Sequence, residues 1–389
     1  MMLGYLLGRA GVKTVVLEKH ADFLRDFRGD TVHPSTLQIM QELGLSDAFL
    51  KLPHSQIRSF AAEINDTPVK IADFARVPTP FKFIALMPQW DFLNFLAEQG
   101  RKFPNLAVMM SAEVTGLSES GGKIVGVTAT TTDGPLEVRA ELTVGCDGRT
   151  STVRSQSGLA VKDLGSPIDV LWFRLSKKAH DPGQVLGRIA RGKMIVTIDR
   201  NDYWQCAYVI AKGGNARIRA AGLEAFKAAV ADAAHFLADR VEELKSFDDV
   251  KLLSVSVDRL TTWSKPGLLC IGDAAHCMSP VGGVGINLAI QDAVATANLL
   301  SAKLKSGTLR DVDLDAVRQR RLFPVKVIQT LQVAVHNRVL KPTVSGAARD
   351  LAVPWPLKVL NANAWLRRWP AQALGLGIRP EHVSSPSDP

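Results

Sequence analysis

Residues 270–293, CIGDAAHCMSPVGGVGINLAIQDA, combine an apolar strand, an acidic residue, a glycine-rich loop and a fresh helix start. Such a turn gathers backbone N–H donors and the positive end of a helix dipole at one place, which suits an electron-rich or anionic group. Gly282, Gly283 and Gly285 remove side chains, so that a flat ligand can lie against the backbone. Asp273, at the carboxyl end of the strand, is placed to accept hydrogen bonds from ligand hydroxyls. A plain strand-to-helix turn would use one glycine for tightness and Asp273 for local bonding, and would not need so many devices together.

A second candidate stretch is CDGRTSTVR, residues 146–154. It puts Asp147 and Gly148 at a strand end and offers Arg149 and Arg154 as phosphate partners. Asp-Gly is also a common hairpin turn, and both readings stand at this level. Glu18 closes the apolar run Val12–Leu17 and is either a ligand for hydroxyls or an ordinary strand-end carboxylate. His276 and Cys277 are neighbours in sequence, which says nothing of geometry, and packing beside a ligand is preferred to a nucleophilic role. The eight histidines show no HExxH or comparable spacing, so no metal site is expected. The four cysteines form no CxxC pair, and their scatter favours a reducing, cytoplasmic setting.

These residues need a scaffold, and the patterning supplies one. Leu3, Leu6, Leu7 and Ala10 repeat helically, Gly11 closes that helix, and Val12–Leu17 reads as a strand, which together make half of a βαβ unit. HPSTLQIMQELGL (33–45) reads as a helix with Ser35 as its cap. Short alternating pieces between 57 and 86 suggest strands leaving the first sheet, and QWDFLNFLAEQGRKFP (89–104) returns as an amphipathic helix. Residues 107–147 form a β-meander punctuated by Gly121-Gly122 and Asp133-Gly134. A further strand-rich block to about residue 211 interrupts the α/β alternation as an inserted antiparallel sheet. One helix is expected over 223–244. The C-terminal third is helical and ends in a Pro- and Ser-rich tail expected to be loose.

With 389 residues, 46% hydrophobic and 22% charged, the chain can bury a large core and lacks the composition of a disordered protein. The net charge of +9 is spread through the chain, with only short runs such as RQRR at 318–321, which argues against nucleic acid and allows a basic face for an anionic cofactor or substrate. No run of 18 apolar residues exists, and the first ten residues lack the basic region of a signal peptide.

In three segments, Gly272-Asp273 with Pro280 and its glycines, Cys146–Arg154, and the opening helix and strand ending in Glu18, the chain resembles the FAD-dependent aromatic-ring hydroxylases of the para-hydroxybenzoate hydroxylase type, in the same order over about 300 residues. The resemblance implies an α/β fold: a Rossmann-like FAD-binding domain with an inserted antiparallel-sheet substrate domain and C-terminal helices. On that pattern residues 1–70, 88–158 and 252–305 form a discontinuous FAD domain, 71–87 and 159–251 the substrate domain, and 306–389 the C-terminal helical region and tail.

The resemblance also implies roles. Glu18 would bind the adenosine ribose, Arg28 would stand by the FAD phosphates, and Gln89 would stand by the ribityl or phosphate. Asp147 and Gly148 would support FAD and the nicotinamide cofactor. Asp273, Gly282, Gly283, Gly285 and Asn287 would hold the flavin, with Pro280 and Gly283 the positions assigned to catalysis. The implied reaction is NAD(P)H- and O2-dependent hydroxylation of an aromatic or polycyclic small molecule through a flavin C4a-hydroperoxide, in a protein with no nucleic-acid partner, little reason for membrane contact and a homodimer as one option. A reductase or dehydrogenase of the same fold and a non-catalytic remnant are the alternatives. The substrate is expected between the Pro280 loop and some of Trp172, Arg174, Met194, Trp204 and Tyr208, of which strand alternation lets only half face it. In a dinucleotide fingerprint the acid follows the glycine-rich turn by about 20 residues. Counting back from Glu18 therefore leads to the expectation of an upstream strand and GxGxxG-like turn ahead of Met1.

Overall fold

A computed structural model describes residues 1–24, 31–65, 67–182, 187–190, 192–346 and 353–388. The helix Met2–Arg9 is buried from Met2 to Gly8. Gly11, with φ +77, turns the chain back, and Val12 N–H bonds the Leu7 carbonyl at 2.9 Å. The strand Thr14–Leu17 then pairs in parallel with Leu106–Met109. A second parallel pair joins Thr143–Gly145 to Leu268–Cys270, with Ser264–Lys265 antiparallel beyond it. Between them, Glu113–Ser120, Lys123–Thr131 and Gly134–Arg139 form the expected meander. The helix Pro34–Glu42 is capped by His33 with Pro34 in its first turn, and it has no side-chain cap, so Ser35 does not play that part.

The inserted layer is a seven-stranded sheet in the order Lys251–Leu253, Ile168–Ser176, Tyr203–Ala211, Lys193–Asp199, Arg188–Ala190, Ser59–Ile64, Thr67–Asp73. Ser59–Ile64 joins it by parallel pairing with Arg188–Ala190. Alternation divides the long strands cleanly. Leu171, Phe173, Ile195, Trp204, Cys206 and Tyr208 pack on one face against Phe226 and Val230 of the helix Leu223–Ala233. Ile168, Val170, Ala207 and Val209 pack on the other face with Val255 and Leu340, and Trp172, Met194, Val196 and Val281 are partly buried against them. The single helix expected over 223–244 ends at Ala233 and gives way to short 3-10 turns at His235–Leu237 and Val241–Glu243.

The C-terminal region contains the helices Gly285–Lys305 and Asp311–Val335, a π-helical turn His336–Leu340, and the shorter helices Trp355–Ala362 and Arg368–Gly375. The tail beyond them is not loose. Asn298 bonds the backbone of His382, Ser384 and Ser385, and Glu42 bonds the N–H of Val383 at 2.8 Å. Arg9 reaches the Ser385 carbonyl, while Asp388 N–H reaches the Arg9 carbonyl at 2.8 Å. Proline and serine removed regular structure from this segment, but its backbone groups found side-chain partners. Among the described residues, no helix is long and apolar enough to cross a membrane.

Candidate active site

The strand Leu268–Cys270 ends in a 3-10 turn, Gly272–Ala274, that presents Asp273. Gly272 holds φ +58, and a side chain there would come 3.0 Å from the Ala289 Cβ, so the turn lies flat on the Gly285–Lys305 helix. Gly285, at the start of that helix, is Asp273's neighbour: a Cβ on it would sit 3.8 Å from Asp273 Oδ1. The helix has no side-chain cap, which leaves first-turn N–H groups available to a ligand. Arg149 approaches Asp273 at 3.8 Å and so brings the Asp147–Arg149 loop to the same place. Enclosure raises the pKa of the Asp273 carboxyl, and Arg149 opposes the rise. Asp273 receives no hydrogen bond among the described residues, and Gly148 at φ +85 faces open space. A half-buried carboxylate lacking donors, beside an arginine and an uncapped helix start, fits a ligand with hydroxyls and negative charge.

The loop ahead of the helix is tightly held. Gly283 N–H bonds the Pro280 carbonyl at 3.0 Å, so that amide is spent within the loop instead of facing a ligand. Gly283 packs directly on Thr31, whose hydroxyl donates to the Gly283 carbonyl at 2.8 Å. The Asn287 side chain is a clamp: Oδ1 accepts from His33 N–H at 2.9 Å and from the Thr36 hydroxyl at 2.8 Å, while Nδ2 donates to the carbonyls of Thr31 and Gly283. Only its backbone is left for a ligand. Gly282 backs onto Leu374, 3.0 Å from where a Cβ would be, and Leu374 accepts a 2.7 Å bond from His33 Nδ1. From below, Gln332 bonds the Ser279 N–H and the Ser279 and Val281 carbonyls, and Ser279 meets His336 at 2.7 Å.

The other expected residues are placed as follows. Glu18, half-buried at the end of Thr14–Leu17, accepts from His20 N–H at 3.0 Å. The Met1 amino group is lowered in pKa by burial, with Cys146 and Glu18 opposing. Asp147 caps locally, accepting from the Ser151 hydroxyl and from Val153 N–H at 3.1 Å. Arg154 pairs with Asp258 at 2.8 Å and with the Arg149 carbonyl, so it braces the loop and is not a free phosphate partner. Gln89 opens the helix Gln89–Gly100. Arg28 lies outside the described residues. Trp204 and Tyr208 lie on the helix-covered face of the sheet, whereas Trp172 and Met194 lie on the face toward Val281. Sequence reading missed His33 and Thr31; the signal available was a polar pair, Thr31 and His33, just ahead of a buried helix start.

The profile of the FAD-binding domain family matches residues 1–330. A 6-methylpretetramide 4-monooxygenase from Streptomyces rimosus is 31% identical over 95% of this chain and 88% of its own length. A dialkyldecalin synthase from Streptomyces rugosporus is 26% identical over 78% of this chain and 63% of its own. Among solved structures, a p-nitrophenol 4-monooxygenase from Pseudomonas putida superposes with a TM-score of 0.74 at 20% identity, covering 97% of this chain and 95% of that one, which speaks for the fold. The donor-poor Asp273 and the uncapped helix beside it fit the hydroxyls and charge of FAD, and the protein belongs to the FAD-binding-domain family of flavin-dependent monooxygenases.

Proposed function

We propose that this enzyme hydroxylates an aromatic or polycyclic small molecule with O2, using FAD that NAD(P)H reduces. Bound FAD supplies the redox and oxygen-activating chemistry. The chain supplies position and dryness. Asp273 accepts from ligand hydroxyls, Arg149 balances its charge, and the start of the Gly285–Lys305 helix faces negative charge with its dipole. Trp172, Met194 and Val196 line the open face of the sheet toward Val281 and supply the apolar wall that excludes water. The observation carrying this reading is Asp273: a half-buried carboxylate beside a helix start, with no hydrogen-bond donor of its own among the described residues. The relative named for 6-methylpretetramide supports the substrate class.

A second reading, a flavoprotein that inserts no oxygen, is raised by the dialkyldecalin synthase among the relatives. Labelled oxygen separates the two. With NADPH and a panel of phenolic and polycyclic aromatics, one substrate should accelerate NADPH oxidation and emerge carrying one atom of 18O from 18O2. Flavin-loaded protein that leaves no label in any product would overturn the oxygenase reading and favour the second.

A further inference from the structure

A chain of buried charges joins the 376–388 tail to the turn that presents Asp273. Asp292, fully buried on the Gly285–Lys305 helix, accepts the Gly272 N–H at 3.0 Å and the His276 Nε2 hydrogen at 2.5 Å through Oδ2. Its Oδ1 accepts from Arg321 Nε at 2.9 Å. Arg321 is equally buried and extends Nη1 to Glu381 at 3.3 Å and to the Arg379 carbonyl at 3.4 Å. Glu381, almost wholly buried in the tail, also pairs with Arg320 at 2.8 Å. Burial alone would raise the Asp292 carboxyl, but His276 and Arg321 outweigh it and hold the group below the usual carboxylate range.

Buried ion pairs of this kind add little net stability over apolar packing, because desolvation offsets the attraction. What the chain of charges does provide is direction. The Gly272 amide is tied to Asp292 while the Gly272 Cα rests on Ala289 of the same helix. The turn's attitude, and with it the aim of Asp273, follows the carboxylate of Asp292. That carboxylate is in turn held by Arg321 and the tail.

We propose that Asp292, Arg321 and Glu381 are positioning residues through which the C-terminal tail sets the Gly272–Asp273 turn, and so the affinity and electronic surroundings of bound FAD. The inference rests on the reading of Asp273 as a flavin ligand.

The test uses the full chain, stripped of FAD and titrated with it, and records the dissociation constant, the visible spectrum and midpoint potential of the bound flavin, and the melting temperature of the FAD-free protein. Glu381→Gln keeps the tail's shape and removes one charge; Asp292→Asn alters the carboxylate itself. Glu42→Gln loosens the tail at His382 and Val383 without touching the buried charges. The expected result is FAD binding weakened about tenfold in Glu381→Gln, the scale of one hydrogen bond's contribution, with a shifted flavin band and potential. Glu42→Gln should lower the melting temperature and leave both flavin readings alone. If Asp292→Asn does not fold, Glu381→Gln decides. A lowered melting temperature with unchanged affinity, spectrum and potential in Glu381→Gln would overturn the proposal and leave the flavin site standing. Parent-like FAD affinity in Asp273→Ala, which removes the acceptor, would instead remove the reading of Asp273 as a flavin ligand, and the proposal with it.

Discussion

The two faces of the seven-stranded sheet are built from the same strands and do different work. On the covered face, Phe226 meets Phe173 and Tyr208 edge-on, each with ring centres 5.6 Å apart. The Trp204 indole N–H donates to Asp181 at 2.7 Å, and Asp181 is locked with Arg240 in a nearly fully buried pair. Every large side chain there has an apolar or a charged partner. On the open face, Trp172, Met194 and Val196 keep part of their exposure and look toward Val281 and Leu374. Aromatic richness along a strand therefore marks neither stability nor substrate contact. The register of the alternation assigns each residue to one face or the other, and the proposed substrate lies against the partly exposed one.

Three experiments sharpen that contrast. The largest effect is expected on the covered face: Phe173→Ala, at a residue with no exposure, should cost about 3–5 kcal/mol in urea unfolding, while KM per folded molecule stays the same. A changed KM at unchanged stability would reverse the assignment of the two faces. Next comes His33, fully buried, whose ring bonds the Leu374 carbonyl behind the partly exposed face. Burial lowers its pKa from 6.5 to about 4, against the opposing bond to Leu374. The folded state thus binds this proton less readily than the unfolded chain. The stability from keeping His33 neutral is full above pH 6.5 and is lost as the pH falls from 6.5 toward 4. At pH 5 the loss is about 2 kcal/mol. His33→Asn keeps a donor for the Leu374 carbonyl and cannot titrate, so between pH 7.5 and pH 5 it should lose that much less than the parent; parallel pH profiles would count against a buried neutral imidazole. The smallest stability change belongs to Trp172→Leu, about 1 kcal/mol or less, because a partly exposed side chain is shortened to another apolar one. Its KM for the aromatic substrate should rise several-fold, and an unaltered KM would move the substrate away from this wall.

Much of the site was legible because its signals are local. Asp273, the glycines after it and the helix beyond occupy one short stretch, and the fold needed only to close that stretch on itself. The illegible parts depend on distant partners. Asn287 reads as a ligand residue at a helix start, yet its amide is consumed by Thr31, His33 and Thr36, more than 250 positions earlier. Arg154 looks like a phosphate partner until Asp258 claims it. Trp204 and Tyr208 share a parity along their strand, and which parity faces the helix Leu223–Ala233 is decided by packing. Ser35 has the preferred cap chemistry, but Pro34 fixes the helix start two residues earlier than a Ser35 cap would, with His33 at the cap position. The tail's composition suggested looseness, and that inference holds only for backbone groups left to water; here Glu42, Asn298 and Arg9 take them.

The contacts of Arg9 with Ser385 and Asp388 span 376 positions of sequence in the first case and three more in the second. Contacts of such separation close the largest possible loops, and their entropy must be met before they return any energy. The opening helix and the long helices can therefore pack while this seam is still open. If Glu381 sets the Asp273 turn as proposed, that turn is held from a segment whose neighbours close only through long-range contacts, so its final attitude belongs to the slowly formed part of the fold.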